Sequence, residues 1–248
     1  GTICDVVPLT GVNRAFVSQG LKVLSRGKNI GISALADVAG AEPPFTTYHA
    51  GFVLGPRINA GGRIGQADMG AVLLSTENAQ TAYGHAAELD RVNRERKAIQ
   101  DDMLRQAEEM AAQDDDKDGI LITAMEGWHP GIIGVVAGRL KDRFRRPAIV
   151  VGIDGEGIGK GSGRSMTGVH LGDAIVAAKE AGLLSSGGGH AMAGGLTVDA
   201  ANIGALRDFM NERLKGDIAK AQASLSLKVD GLLAPSAAND ALIDTIDT

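Results

Sequence analysis

The chain has little of several things that would narrow its function at once. A single cysteine, Cys4, stands in 248 residues. That excludes an internal disulfide framework and a zinc site built on cysteines, and it suits a reducing, cytoplasmic setting. Aromatic residues make up 3% of the sequence, which argues against a surface of stacked rings. No apolar run approaches the ~18–20 residues of a membrane-spanning helix, so no membrane contact is expected. No charged-then-apolar leader opens the chain. Positive charge is also short: 25 Lys and Arg face 30 Asp and Glu, a net charge of −5. The whole chain therefore lacks the signature of a nucleic-acid binder, and any anion site must be local.

Glycine is what the chain has in excess, 35 residues, roughly double the ~7% of average usage. There is no strict Gly-X-Y period, so collagen is excluded, and tight turns and close backbone approaches must account for much of it. With 44% hydrophobic and 22% charged residues, the chain can bury a core. Its length fits one large or two modest domains. The strand-like opening and the uncapped apolar-periodic end, Leu232 to Thr248, read as cut edges of a longer protein.

Thr2 to Val7 reads as a buried strand, and Asn13 as the cap of a helix carrying Phe16, Val17, Leu21 and Leu24. A short helix covers about Ile32 to Val38, and 46–54 reads as helical. The run Gly55-Pro-Arg-Ile-Asn-Ala-Gly-Gly-Arg-Ile-Gly65 is too rich in glycine for a regular element. A small-residue helix follows from Asp68 to Ser75. Asn78 to Gln113 carries Leu89, Val92, Ile99, Met103 and Leu104 at helical spacing, and a continuous helix there spans roughly 50 Å. So long and polar a helix suits a connector between domains. The pattern then turns to α/β. Strands are expected at Gly119–Ala124 and Ala148–Val151, with a crossover helix at Ile132–Phe144, making a parallel, right-handed unit. A glycine-rich hairpin through Arg164, a helix at Leu171–Ala181, a loop at Ser185–His190, a strand at Leu196–Val198 and a helix at Asn202–Leu214 follow. Leu225 to Val229 alternates as a further strand would. The fold class is α/β, a mixed sheet flanked by helices, preceded by a mostly helical connector with one long helix.

Four clusters carry possible chemistry. Glu126-Gly-Trp-His-Pro-Gly-Ile-Ile-Gly134 lies past the C-terminal end of a strand and opens a helix, where ligands bind in open α/β sheets. Free amides there attract anions. Gly131 allows close approach and His129 can donate to a phosphate; the plain alternative is a capped helix with a packing Trp128. Gly159-Lys-Gly-Ser-Gly-Arg-Ser165 offers Lys160, Ser162, Arg164 and Ser165 without a carboxylate, which suits a phosphate backbone. It lacks Walker A spacing. In Ser185-Ser-Gly-Gly-Gly-His190, the amides of Gly187, Gly188 and Gly189 are unshielded beside His190. Arg57, Asn59 and Arg63 can clamp phosphates at a domain junction. From Arg139 to Arg164 there are seven basic and three acidic residues, a local excess that reads as an electrostatic footprint.

These pieces in this order resemble the RecJ family of single-stranded-DNA-specific exonucleases, within the DHH phosphoesterases. The matching pieces are Gly1 to Thr10 with Asn13-Arg14, Leu54-Gly-Pro-Arg-Ile-Asn-Ala-Gly-Gly-Arg63, and Leu89-Asp90 with Asn93-Arg-Glu-Arg96. Gly127-Trp-His-Pro-Gly-Ile-Ile-Gly134, Ser162-Gly-Arg-Ser165 and Gly187-Gly-Gly-His190 complete the set. The resemblance implies a remnant of the DHH catalytic domain at 1–35, a helical connector at 36–117, a DHH-associated domain at 118–217 and the start of an oligonucleotide-binding barrel at 218–248. It implies phosphodiester hydrolysis by two Mn²⁺ or Mg²⁺ ions, with Asp5 matching one metal ligand, and a 5′-to-3′ exonuclease of DNA repair and recombination. Arg164 and His190 match catalytic positions. Arg57, Asn59, Arg63, His129, Gly131, Ser162, Ser165 and the three glycines match substrate-binding ones. Single-stranded DNA is the implied partner, with a single-strand-binding protein and a helicase as further partners. The rest of the metal set is absent from the sequence, so this chain alone is expected to bind single strands weakly and not to cleave them. The rival readings are a phosphoesterase of short oligoribonucleotides or cyclic dinucleotides, a non-catalytic nucleic-acid-binding module, and a small-molecule phosphate enzyme.

Overall fold

The computed structural model describes every residue except 115, 225, 227, 228, 230 and 248. Its first half is helical: α1 (Gly11–Leu24), α2 (Ile30–Ala39), a π-helix (His49–Leu54), α3 (Gly55–Ile64), α4 (Met69–Ser75) and α5 (Ala79–Ala112). Its second half is a five-stranded sheet with helices: β1 (Leu121–Glu126), α6 (Ile133–Phe144), β2 (Ala148–Ile153), β3 (Ile158–Arg164), α7 (Leu171–Glu180), β4 (Ser186–His190), β5 (Ala193–Asp199) and α8 (Ile203–Ala223). Asp240–Asp247 forms a last helix, α9. The strand order is β1-β2-β3-β5-β4. β1 and β2 are parallel across the α6 crossover, as expected, and the other pairs are antiparallel.

The sheet separates two cores. On one face Ile122, Ile149, Val151 and Val198 pack with Leu171 and Ile175 of α7 and Leu206 and Met210 of α8. On the other face Leu121, Ala148 and Val150 meet Val136 and Leu140 of α6, and Met103 and Ala107 of α5. A third core joins Leu35, Leu54, Leu73, Leu89 and Val92 in the helical half. Helix α5 therefore plugs one end into each half. Each fully buried Leu or Met on it contributes ~1.5–3 kcal/mol. Its ends hold apolar anchors, and its middle is left for polar work. Asn78 caps it, accepting from the Thr81 N–H at 2.9 Å.

Several expectations are corrected. Thr2–Val7 is a run of turns, not a strand. The Asp5 N–H donates to the Gly1 carbonyl at 2.8 Å, and the Val7 N–H to that of Thr2 at 3.0 Å. No strand lies beside this run among the described residues, so its backbone groups close on each other. Helix α1 starts at Gly11 after Thr10, and Asn13 donates back to the Pro8 carbonyl at 3.2 Å. The glycine-rich run expected to be irregular is helix α3. Pro56 sits in its first turn, where a missing N–H costs nothing, and its glycines permit contact: a Cβ on Gly55 would overlap Cys4, and one on Gly61 would lie 2.6 Å from the Gln66 carbonyl oxygen. The loop expected at Ser185–His190 is edge strand β4. The strand expected at Leu225–Val229 falls largely outside the described residues. From 231 the described chain is coil, a short 3-10 turn at Pro235–Ala237, and α9.

Candidate nucleic-acid interface

Alternation along β3 sorts its residues onto two faces. Gly159, Gly161 and Gly163 point into the α7–α8 core, where a Cβ would come within 2.6 Å of Val151, Leu196 and Leu171 respectively. Lys160, Ser162 and Arg164 therefore share the opposite face. Register extends that face across the sheet: Lys160 pairs Thr197, Ser162 pairs Gly195, and Arg164 pairs Ala193. Thr197 pairs Ser186, Gly195 pairs Gly188, and Ala193 pairs His190. The result is a three-by-three grid with polar corners and a floor of Gly195, Gly188 and Ala193. Helix α6 covers β1 and β2 on this side and reaches only as far as β3, where Gly134 lets it lie against Arg164 and Ser162. The floor over β5 and β4 is a trough with no side chain larger than threonine between its flanks.

Arg164 and His190 are both partners of Ala193, so they stand on the same face, two strand spacings or roughly 10 Å apart. Arg164 donates from Nη1 to Ser162 Oγ at 3.1 Å and to the Gly163 carbonyl at 2.8 Å. His190 is exposed. Its Nδ1 accepts from the Met192 N–H at 3.3 Å, which leaves the proton of the neutral ring on Nε2. At the other end Lys160 Nζ and Ser186 Oγ both bond Thr197 Oγ1 at 3.0 Å.

Arg164 is one of a cluster of cations at the seam with the helical half. Burial, and then the charge of Arg63, press its guanidinium below the ordinary value. The same two causes, in that order, lower Arg96, with Asp101 opposing them. All three guanidinium groups stay charged. None forms a salt bridge with a carboxylate among the described residues. Arg96 is aimed by its own helix: Nε and Nη2 donate to buried Asn93 Oδ1 at 3.3 and 3.2 Å, and Nη1 to Gln100 Oε1 at 2.7 Å. Arg63 Nη1 donates to the Gly131 carbonyl at 3.2 Å. Gly131 in turn backs onto the Arg63 carbonyl, where a Cβ would overlap it. A cavity of about 520 Å³ opens here, lined by Asn59, Arg63, Arg96, Lys97 and Arg139 among others.

Other expected site residues have structural work. Arg57 donates from Nε to Asp90 Oδ1 at 2.9 Å and from Nη1 to the Val53 carbonyl at 2.7 Å. Asp90 is buried and also holds Arg94 at 3.2 Å, so Arg57 is tied as a strut between α3 and α5. Ser165 is 1% exposed and donates to the Val169 carbonyl at 2.8 Å, pointing into the core. At the helix start expected to offer bare amides, those of Gly131, Ile132 and Ile133 are engaged from within. His129 Nδ1 accepts from the Gly131 N–H at 3.1 Å, and the His129 carbonyl accepts from Ile132 and Ile133. Trp128 packs and donates to Gln106 at 2.8 Å. Of the triple glycine, Gly187 meets Ile175 and Gly189 meets the Ala193 carbonyl, and only Gly188 opens onto the trough. The charge excess from Arg139 to Arg164 is dispersed. Arg146 is buried against Asp116 and Asp114, Arg143 pairs Glu108 at 2.6 Å, and Lys141 pairs Asp142 at 2.6 Å.

Asp5 is an exposed carboxylate in the N-terminal turn, next to Cys4 on the cavity wall. Among the described residues, no group of three or more His, Cys, Asp or Glu converges as metal ligands would. One carboxylate does not fit a pair of hard divalent ions. No helix of the described chain is long and apolar enough to cross a membrane.

Comparison with known proteins gives the same arrangement a family. Residues 117–216 match the DHHA1 domain. The single-stranded-DNA-specific exonuclease RecJ of Bacillus subtilis is 41% identical over 214 residues, which are 86% of this chain and 27% of that protein. The crystal structures of RecJ from Thermus thermophilus superpose with TM-scores of 0.75 in complex with Mn²⁺ and 0.76 in complex with Mg²⁺. Both are 32% identical and cover 88% of this chain, and the matches cover 31% and 33% of those chains. The chain thus spans about a third or less of each of these three relatives. Carrying a DHHA1 domain and homologous along most of its length to RecJ, the chain belongs to the RecJ family.

Proposed function

We propose that this chain is the substrate-gripping portion of a metal-dependent exonuclease that degrades single-stranded DNA from 5′ to 3′ in repair and recombination. The observation that carries the reading is the register of the sheet. It sets Arg164 and His190 on either side of Ala193, above a floor too small to fill the space, beside Arg63 and Arg96, which form no salt bridge among the described residues. Phosphate oxygens accept from guanidinium forks and from a neutral imidazole Nε2–H. A small-residue floor admits a backbone. Guanidinium groups held before substrate arrives stabilise charge as it develops on phosphorus without reorganising. Two Mn²⁺ or Mg²⁺ ions would supply water activation in the whole enzyme, and Asp5 would be one of their ligands.

In this reading 36–117 is the connector that sets the seam, 118–217 the folding unit of the sheet, 1–35 the edge of the catalytic domain, and 218–248 the approach to an oligonucleotide-binding barrel. The setting is cytoplasmic, with single-stranded DNA as substrate and a single-strand-binding protein and a helicase as co-workers. Fluorescence anisotropy with labelled oligothymidylate tests it. The chain should bind the single strand more tightly than a duplex of equal length. Arg164→Ala should weaken that binding about ten-fold, the loss expected for one charge-assisted contact of ~1.5 kcal/mol. Equal affinity for both forms, or an unchanged Arg164→Ala variant, would end the proposal. The chain alone should not cut: Mn²⁺-dependent release of nucleotides by it would also count against this division of labour.

A further inference from the structure

The Tyr48 and Phe52 rings stack on each other across one turn of the π-helix, with centroids 5.5 Å apart and planes 24° from parallel. They are 62% and 70% exposed, in a chain with only 3% aromatic residues. Both rings line the same 520 Å³ cavity as Arg63, Arg96 and Lys97. A surface ring pair is costly to leave in water, and this pair faces a wall in which Arg63, Arg96, Lys97 and Arg139 outnumber the carboxylate of Asp101. The combination of an aromatic platform with a positively charged groove is how single strands are held without sequence preference: bases stack on rings while the backbone follows the cations.

We infer that this cavity is a base-stacking subsite for one nucleotide of a single strand, with Phe52 and Tyr48 as the platform and Arg96 and Lys97 on the flanking phosphate. The inference rests on the nucleic-acid reading above and extends the path of the strand. From the trough between Arg164 and His190, the strand passes Arg63 and enters the seam between the helical half and the sheet. Asn93 and Gln100 are positioning residues here, because they fix the fork of Arg96 toward the cavity. Tyr48 and Phe52 stand four residues apart in a segment that reads as helical, the spacing that sets two side chains on one helix face.

The test is a set of oligothymidylates carrying one abasic position moved stepwise along the strand, titrated against the 248-residue chain by anisotropy. In the wild type, one abasic position should weaken binding by about five-fold or more, the low end of the loss from one base–aromatic stack. In Phe52→Ala that position should lose its effect, and the intact strand should bind about five-fold more weakly or worse. Phe52→Trp should restore both. Phe52 is largely exposed, so these variants should keep the wild-type unfolding midpoint, and Arg96→Gln serves as a second probe of the same cavity. Arg164→Ala separates this inference from the reading beneath it. Weak binding in Arg164→Ala together with a flat abasic profile in the wild type overturns the subsite alone. Unchanged binding in Arg164→Ala with a Phe52-dependent abasic position overturns the trough and keeps the subsite.

Discussion

Gly134→Ala should weaken nucleic-acid binding while leaving the fold as stable or more so. Gly134 lies on α6, directly behind the Arg164 guanidinium. A methyl group there would sit 2.9 Å from Arg164 Nη2 and 3.0 Å from Ser162 Oγ, about 0.5 Å short of ordinary contact at ~3.5 Å. Both atoms are ends of side chains, so they move and the backbone does not. Alanine inside a helix is favoured over glycine by ~0.5–1 kcal/mol, which offsets the local crowding. The Arg164 fork, however, must leave the position in which Ser162 and the Gly163 carbonyl hold it. Losing part of a charge-assisted contact costs ~1 kcal/mol, or about five-fold in Kd. Urea denaturation and anisotropy on the same preparation decide it. A variant that binds like the wild type with unchanged stability would show that Arg164 need not be held where α6 puts it.

Other outcomes follow from neighbouring contacts. Gly131→Ala overlaps the Arg63 carbonyl, a backbone atom, so it should prise α3 from the sheet half, with a loss of ~1–3 kcal/mol in denaturation and weaker binding. Arg57→Ala leaves buried Asp90 without its nearest partner and should cost about 3 kcal/mol. An effect confined to binding, with stability intact, would return Arg57 to the substrate. Lys160→Ala should lower the slope of log affinity against log salt by about 0.7, the loss of one phosphate contact on a single strand. Ser165→Ala should act on stability, by ~0.5–1.5 kcal/mol for one lost hydrogen bond, since the Val169 carbonyl keeps the Leu171 N–H at 3.1 Å, and not on binding once the protein is folded.

The parts legible in the sequence are those where one period dominates. Helix α5 announces itself by Leu89, Val92 and Met103 at helical spacing behind Asn78. The β1-α6-β2 unit shows in two apolar runs around an amphipathic segment. Glycine-rich stretches misled in both directions. Gly55–Ile64 is a helix, since packing on Cys4, Gln66 and Met69 outweighs a propensity penalty of ~1 kcal/mol per glycine. Ser186–His190 is a strand, because Gly187 must fit against Ile175 of α7. The pairing of Arg164 with His190 was visible only as two motifs. What joins them is their common neighbour Ala193, a fact of register that separation along the chain does not encode. Arg57, Ser165 and His129 carry polar groups in the expected motifs, and each has an internal hydrogen-bond partner that the motif does not show. The cation that sequence reasoning passed over, Arg96, is set by i,i+3 and i,i+4 contacts on α5. A polar stripe in the middle of an otherwise anchored helix was the available signal.

The central claim is that a sugar-phosphate backbone lies in the trough over Ala193. A crystal structure of the chain with a short oligothymidylate measures this directly. The account predicts a phosphate within hydrogen-bond distance of the Arg164 guanidinium and of His190 Nε2, with the backbone over Gly195 and Gly188. A strand bound elsewhere, with no phosphate at Arg164 and His190 in open water, would contradict it.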